Sequence, residues 1–121
     1  MTERRRQPKY DLEERLYRFA GRVRALVKAL PRTVGNAEDA RQVIRASGSA
    51  GANYIEANEA LSKKDFLMRL KISRKEAKEA RFFLRLLDPG TKPEVQRERD
   101  ALVKEAGELL RILSAIIEKS S

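Results

Sequence analysis

Apolar side chains recur in this chain at alternating steps of four and three, and only a helix turns that spacing onto one side. The first series is Leu12, Leu16, Phe19, Val23, Leu26 and Leu30, with Asp11 and Glu14 as a start signal and Pro31 as the stop. A second runs Val43, Ser47, Ala50, Tyr54, Ala57 and Leu61. Asn36 suits its opening, with Glu38 and Asp39 in the first turn. The third, Phe66, Leu70, Ser73, Ala77, Ala80, Leu84 and Leu87, follows the capping pair Ser62 and Asp65 and ends at Asp88-Pro89-Gly90. The fourth, Leu102, Ala106, Leu109, Leu113 and Ile116, follows Thr91, Pro93 and Glu94. No segment alternates with period two. Four helices joined by short connections predict an all-α fold, an antiparallel up-down-up-down four-helix bundle over residues 10–121 with residues 1–9 as a flexible basic tail.

One tract tests this pattern. Residues 46–52 read Ala-Ser-Gly-Ser-Ala-Gly-Ala, and a glycine in a helix interior costs about 1 kcal/mol relative to alanine. The tract reads as a flat helix face approached closely by a neighbour; the competing reading is a loop that splits the second helix.

Composition removes most chemistry. The chain has no cysteine and no histidine, so disulfides, thiolate nucleophiles, the commonest metal ligand and the commonest general base are missing. A carboxylate di-metal bundle would need Glu-x-x-His pairs, which are absent here. No catalytic residue, metal or cofactor is expected, and no small-molecule substrate. No run of 18 apolar residues occurs, and the polar N-terminus lacks an apolar export segment. Those readings make a cytoplasmic protein without membrane contact the expectation.

The net charge of +9 is concentrated. Residues 62–87 hold nine basic and three acidic side chains, a local excess of +6. Lys64, Lys71, Lys78 and Arg85 recur every seven residues, Arg74, Lys75 and Arg81 lie beside them, and Arg4, Arg5 and Arg6 add a basic tail. The plain explanation is a solvated face laced with pairs such as Lys75–Glu79. The density of charge favours a surface for phosphate backbones, RNA in preference to DNA. No zinc finger, aromatic RNA-binding pattern or helix-turn-helix signature accompanies it, so binding is expected to follow shape and charge and to fall with salt. An acidic protein partner, with the chain as an adaptor, would fit the same charge.

Two further groups stand out. Leu67, Met68, Ile72, Phe82 and Phe83 are apolar positions beyond the seam of the third helix, either a wider core or an oligomer interface. Gln42, Arg45, Ser49, Asn53, Glu56 and Glu79 are placed to form a structural polar network flanking the seam.

The segments Tyr10-Asp-Leu-Glu13, Leu30-Pro31, Gln42-Val-Ile-Arg-Ala46, Ser49-x-x-x-Asn53-x-x-Glu56-Ala57 and Lys71-Ile-Ser-Arg-Lys-Glu-Ala-Lys-Glu79 together resemble the four-helix bundle family encoded in intervening sequences of bacterial 23S rRNA genes. The resemblance covers residues 10–118. It implies an up-down bundle and, as in some relatives, a homo-oligomer of the pentamer type. A related branch is the accessory protein of diversity-generating retroelements, a basic pentamer that contacts nucleic acid. The chain departs from the family's usual residues at Lys75-Glu76 and at Ala57.

Overall fold

The computed structural model describes residues 8–121, with side chains from residue 12 onward; Arg4, Arg5 and Arg6 lie outside the described residues. Four helices follow one another: α1 (Pro8–Ala29), α2 (Val34–Asn58), α3 (Lys63–Leu86) and α4 (Pro93–Ser120). No strand occurs among the described residues. Each helix packs on two others, α1 on α2 and α4, and α3 on the same pair, with no close backbone approach across either diagonal among the described residues.

The heptad seams make the core. Leu16, Phe19, Val23, Val43, Leu70, Leu84, Leu102, Leu109 and Leu113 are all at most 1% exposed. Burying a leucine or phenylalanine side chain stabilises by about 1.5–3 kcal/mol, so these rows dominate the fold's stability. The α4 seam ends on Ile117 instead of Ile116: Ile117 is buried and Ile116 only packs at the edge. A straight helix turns every 3.6 residues, so a strict seven-residue row drifts off the core. Leu61 leaves its seam entirely, fully exposed in the connection after α2.

The starts of α1 and α2 differ from the expected ones, whereas Ser62 and Pro93 take the places expected of them. α1 begins at Pro8, ahead of the Asp11 signal. Thr33, not Asn36, caps α2, its side chain accepting a hydrogen bond from the Asn36 amide at 3.0 Å. Ser62 caps α3 through the Asp65 amide as the capping pair implies. Lys92 precedes α4 with no side-chain cap, and Pro93 takes the first turn, where its missing N–H has no partner to lose.

Asn36 does other work. It is 5% exposed; its amide donates to the carbonyls of Pro31 (3.0 Å) and Asp88 (2.9 Å), and its oxygen accepts from the Asp88 N–H (2.9 Å). One side chain therefore ties the α1–α2 connection to the α3–α4 connection. Gly90 sits beside that tie with φ of 76°, and a Cβ there would lie 2.8 Å from Pro31 Cγ, so backbone and packing both require glycine.

The glycine-serine tract stays helical throughout. Its glycines are not the contact points: a Cβ on Gly51 would meet Leu16 Cβ at an ordinary 3.6 Å, and one on Gly48 would meet Arg24 Nη2 at 3.6 Å. The close approach uses the alanines and serines. Ala46, Ser47 and Ala50 on α2 and Ser73, Ala77 and Ala80 on α3 are fully buried, and Ser73 Oγ donates to the Ala50 carbonyl at 2.6 Å.

Candidate nucleic-acid interface

The α3 seam turns Leu70, Ser73, Ala77, Ala80 and Leu84 inward. Residues one step along the sequence from that seam then project beside α4. Lys71, Arg74, Lys75, Lys78 and Arg81 consequently line one wall of an open groove of about 800 Å³ between α3 and α4. Arg111 and Glu118 of α4 face them, and Gly107, Leu110, Ser114 and Ala115 complete the lining. Arg74 Nη1 reaches Ser114 Oγ at 3.4 Å.

Apart from Lys75, these cations have no carboxylate partner among the described residues. Among the described residues no carboxylate lies within ion-pair distance of Lys71, Arg74, Lys78, Arg81 or Arg111, and the Lys75 ammonium is 3.9 Å from Glu76. The Lys75–Glu79 pair that would make the strip a self-compensated surface does not form. Like charges three or four residues apart on a helix destabilise it by a few tenths of a kcal/mol per pair. Lys71–Arg74, Lys71–Lys75, Arg74–Lys78, Lys75–Lys78 and Lys78–Arg81 all have that spacing, so the fold carries a self-repulsion that a polyanion would relieve.

The opposite arrangement holds between α1 and α4. Arg15 donates to Glu105 at 2.6 and 2.8 Å and to Glu108 at 2.6 Å; Arg22 donates to Glu98 at 2.9 and 3.0 Å. The hydrogen bond that Glu105 accepts holds the Arg15 guanidinium above its ordinary range, against partial desolvation, and Glu98 does the same for Arg22. The positive charge of α1 is thus partly consumed inside the molecule, while that of α3 faces outward.

Two expected strip residues stand apart from the groove. Lys64 sits with Lys71 and Lys75 around Leu67, Met68 and Ile72, and Arg85 sits with Arg99, Asp100 and Val103. The sequence did not single out Arg111, Ser114 or Glu118. They share one side of α4 at steps of three and four, away from its apolar seam, which is a signal visible only once α4 is known to lie beside α3.

The apolar group divides. Leu67 and Phe83 pack against the core, whereas Met68 is 47% and Phe82 55% exposed, with Leu86 equally open at 53%. Ile72 is half-buried. The Phe82 and Phe83 rings meet edge to face at 5.2 Å.

The polar group forms two short links rather than one network. Asn53 donates to the Ser49 carbonyl and hydroxyl at 3.0 and 3.1 Å and accepts from Arg69 at 3.1 Å. Arg45 donates to Gln42 at 2.8 Å. Glu56 is exposed and Glu79 half-exposed, neither with a hydrogen bond among the described residues. The buried carboxylate is Glu76 instead, 7% exposed, with Oε1 unpartnered. No group of metal-ligating side chains occurs among the described residues, and no described helix is long and apolar enough to cross a membrane.

Comparison with known proteins adds two findings. The family model described as 23S rRNA-intervening sequence protein matches residues 9–115. A crystal structure from Bacteroides thetaiotaomicron, described as a protein of unknown function from the S23 ribosomal protein family, superposes with a TM-score of 0.77 at 28% identity, over 93% of this chain and 99% of that one. No curated protein matches.

Proposed function

The chain belongs to the 23S rRNA-intervening sequence protein family, and on that premise we propose that it is a non-catalytic helical bundle that binds structured RNA through the α3–α4 groove. The observation that carries this reading is the convergence of six cations on one groove that contains a single carboxylate, Glu118. Phosphate contacts supply the sequence-independent share of nucleic-acid affinity. No aromatic side chain lines the groove, which favours recognition of charge and shape over bases.

The same reading takes the helices as an antiparallel up-down-up-down bundle. Its support is the order of cross-helix contacts: Arg15 and Arg22 meet Glu105 and then Glu98, and Arg69 and Ser73 meet Asn53 and then Ala50. The bundle assembles as a homo-oligomer, of the pentamer form the resemblance implies, and acts in the cytoplasm. Exposed Met68 and Phe82 support the association.

The test is a triple reversal, Lys71→Glu with Arg74→Glu and Lys78→Glu, assayed by RNA gel shift and circular dichroism. Binding is expected to vanish with helicity retained. For the native chain, four neutralised phosphates predict an affinity loss of roughly 10²-fold between ~50 and ~200 mM salt. Unchanged RNA affinity in the triple variant would overturn the reading. Loss of an acidic protein ligand, with RNA never bound, would assign the groove to an adaptor role.

A further inference from the structure

Resting on the reading that the groove takes nucleic acid, we infer that it holds one phosphodiester strand lengthways, over about three phosphates, with Glu118 as the stop at one end.

The register of the two helices fixes the track. Arg74 meets Ser114, and Arg81 Nη1 lies 3.5 Å from where a Cβ on Gly107 would stand. A step of seven forward on α3 is therefore a step of seven back on α4. Continuing that register sets Lys78 opposite Leu110, with Arg111 one residue further along α4, and Lys71 opposite Ile117, next to Glu118. The cations form successive rungs instead of one knot of charge, and the sole acid stands at the outer rung.

Length follows from helix geometry. From Lys71 to Arg81 is ten residues, or ~15 Å at the helical rise. Along a strand whose bases all face away, successive phosphates lie about 6–7 Å apart, roughly twice the ~3.4 Å axial rise of a duplex, so the track meets about three. Width points the same way: packed helix axes lie only ~8–10 Å apart, so the furrow between their side-chain rows is narrower than a duplex, which would ride across the rims and reach fewer cations. The floor offers Leu110, Ser114 and Ala115, with no ring on which a base could stack, so the strand is held by its phosphates and its bases face away.

Glu118 gives the inference its own signature. Its carboxylate repels the phosphate that would otherwise follow past Lys71, so exchanging it for a cation lengthens the track. Nothing in the fold depends on it: it is exposed and makes no hydrogen bond among the described residues.

The experiment measures fluorescence anisotropy of the full chain with uniform-sequence single-stranded RNA from about two to about twenty nucleotides, a range that brackets strand-binding sites of ~4–16 nucleotides, beside a duplex of the same sequence. Affinity is expected to climb with each nucleotide to about four and then only with the number of available registers. Glu118→Lys moves the break outward by about one nucleotide and steepens the log–log salt dependence by roughly 0.7. Glu38→Lys, the same charge change on α2, leaves the break in place. A steep climb continuing to the longest strand, a break indifferent to Glu118→Lys, or binding of the duplex alone would overturn the single-strand track while sparing the RNA reading. Failure of every oligonucleotide and of a long structured RNA to bind would remove both.

Discussion

Replacing Asn36 with alanine should cost about 2–3 kcal/mol of folding stability although the residue contributes almost nothing to the apolar core. Its side chain makes three hydrogen bonds, to the Pro31 carbonyl and to both backbone groups of Asp88. At a net ~1 kcal/mol each their loss amounts to about 3 kcal/mol. Pro31 and Asp88 are themselves exposed, so water can reach some of the abandoned groups and return part of that sum. Urea unfolding followed by circular dichroism should show a lower midpoint at unchanged slope, and heating should show a melting point lower by roughly 10 °C. Asn36→Asp separates the tie from a local helix effect. An aspartate in the first turn of α2 would gain ~0.3–1 kcal/mol from the helix dipole, but here it turns an oxygen toward two carbonyl oxygens. The aspartate variant should therefore be no more stable than the alanine variant. Native-like stability in Asn36→Asp, or a loss below ~0.5 kcal/mol in Asn36→Ala, would refute the claim that this side chain joins the two connections.

Burial pushes the Tyr54 phenol above its ordinary value of 10.0, with a hydrogen bond to Asn58 opposing and Glu13 adding to the rise. The unfolded phenol ionises first, so this contribution is intact below pH 10 and is lost as pH rises through the folded value; Tyr54→Phe should flatten the alkaline fall in stability, and an equally steep fall in that variant would exclude it. Glu76→Gln should stabilise by up to about 1 kcal/mol, because the buried carboxylate has an unpartnered Oε1 and only a 3.9 Å pair between its Oε2 and the exposed Lys75 to offset its burial. A lower urea midpoint would mean that the charge is compensated. Gly51→Ala should stabilise by ~0.5–1 kcal/mol, since the new Cβ meets Leu16 at an ordinary distance within a helix interior. Destabilisation, read from the same denaturation curve, would restore the view that close packing demands the glycine.

The seams of all four helices were legible because burial follows spacing, and spacing is local. Asn36 was misread for a reason that is equally local: asparagine is a good cap, and nothing nearby in the chain reveals that its amide is aimed at Asp88, 52 residues on. The glycine tract misled in another way. It marks a close helix approach correctly, but the contacts belong to Ala50 and Ser73. Glu76 was hidden because it flanks the α3 seam, three residues after Ser73 and four before Ala80, where spacing alone does not separate buried from exposed positions, while Glu79 stays half-exposed.

For the candidate interface, the α3 strip was readable because its cations crowd one segment. Arg111 was not, since residues 88–121 carry almost balanced charge (six basic, seven acidic) and a lone arginine gains meaning only from the neighbouring helix. The same holds for the division of α1: its arginines look available in sequence, but Arg15 and Arg22 are committed to glutamates of α4.

Chemical-shift mapping of backbone amides during titration with a structured RNA tests the assignment of the charge most directly. The shifts should concentrate on residues 71–81 and 107–118 and fade as salt is raised, leaving the paired arginines of α1 unmoved. Shifts centred on the α1–α2 side, or a groove that stays silent while RNA binds elsewhere, would contradict it.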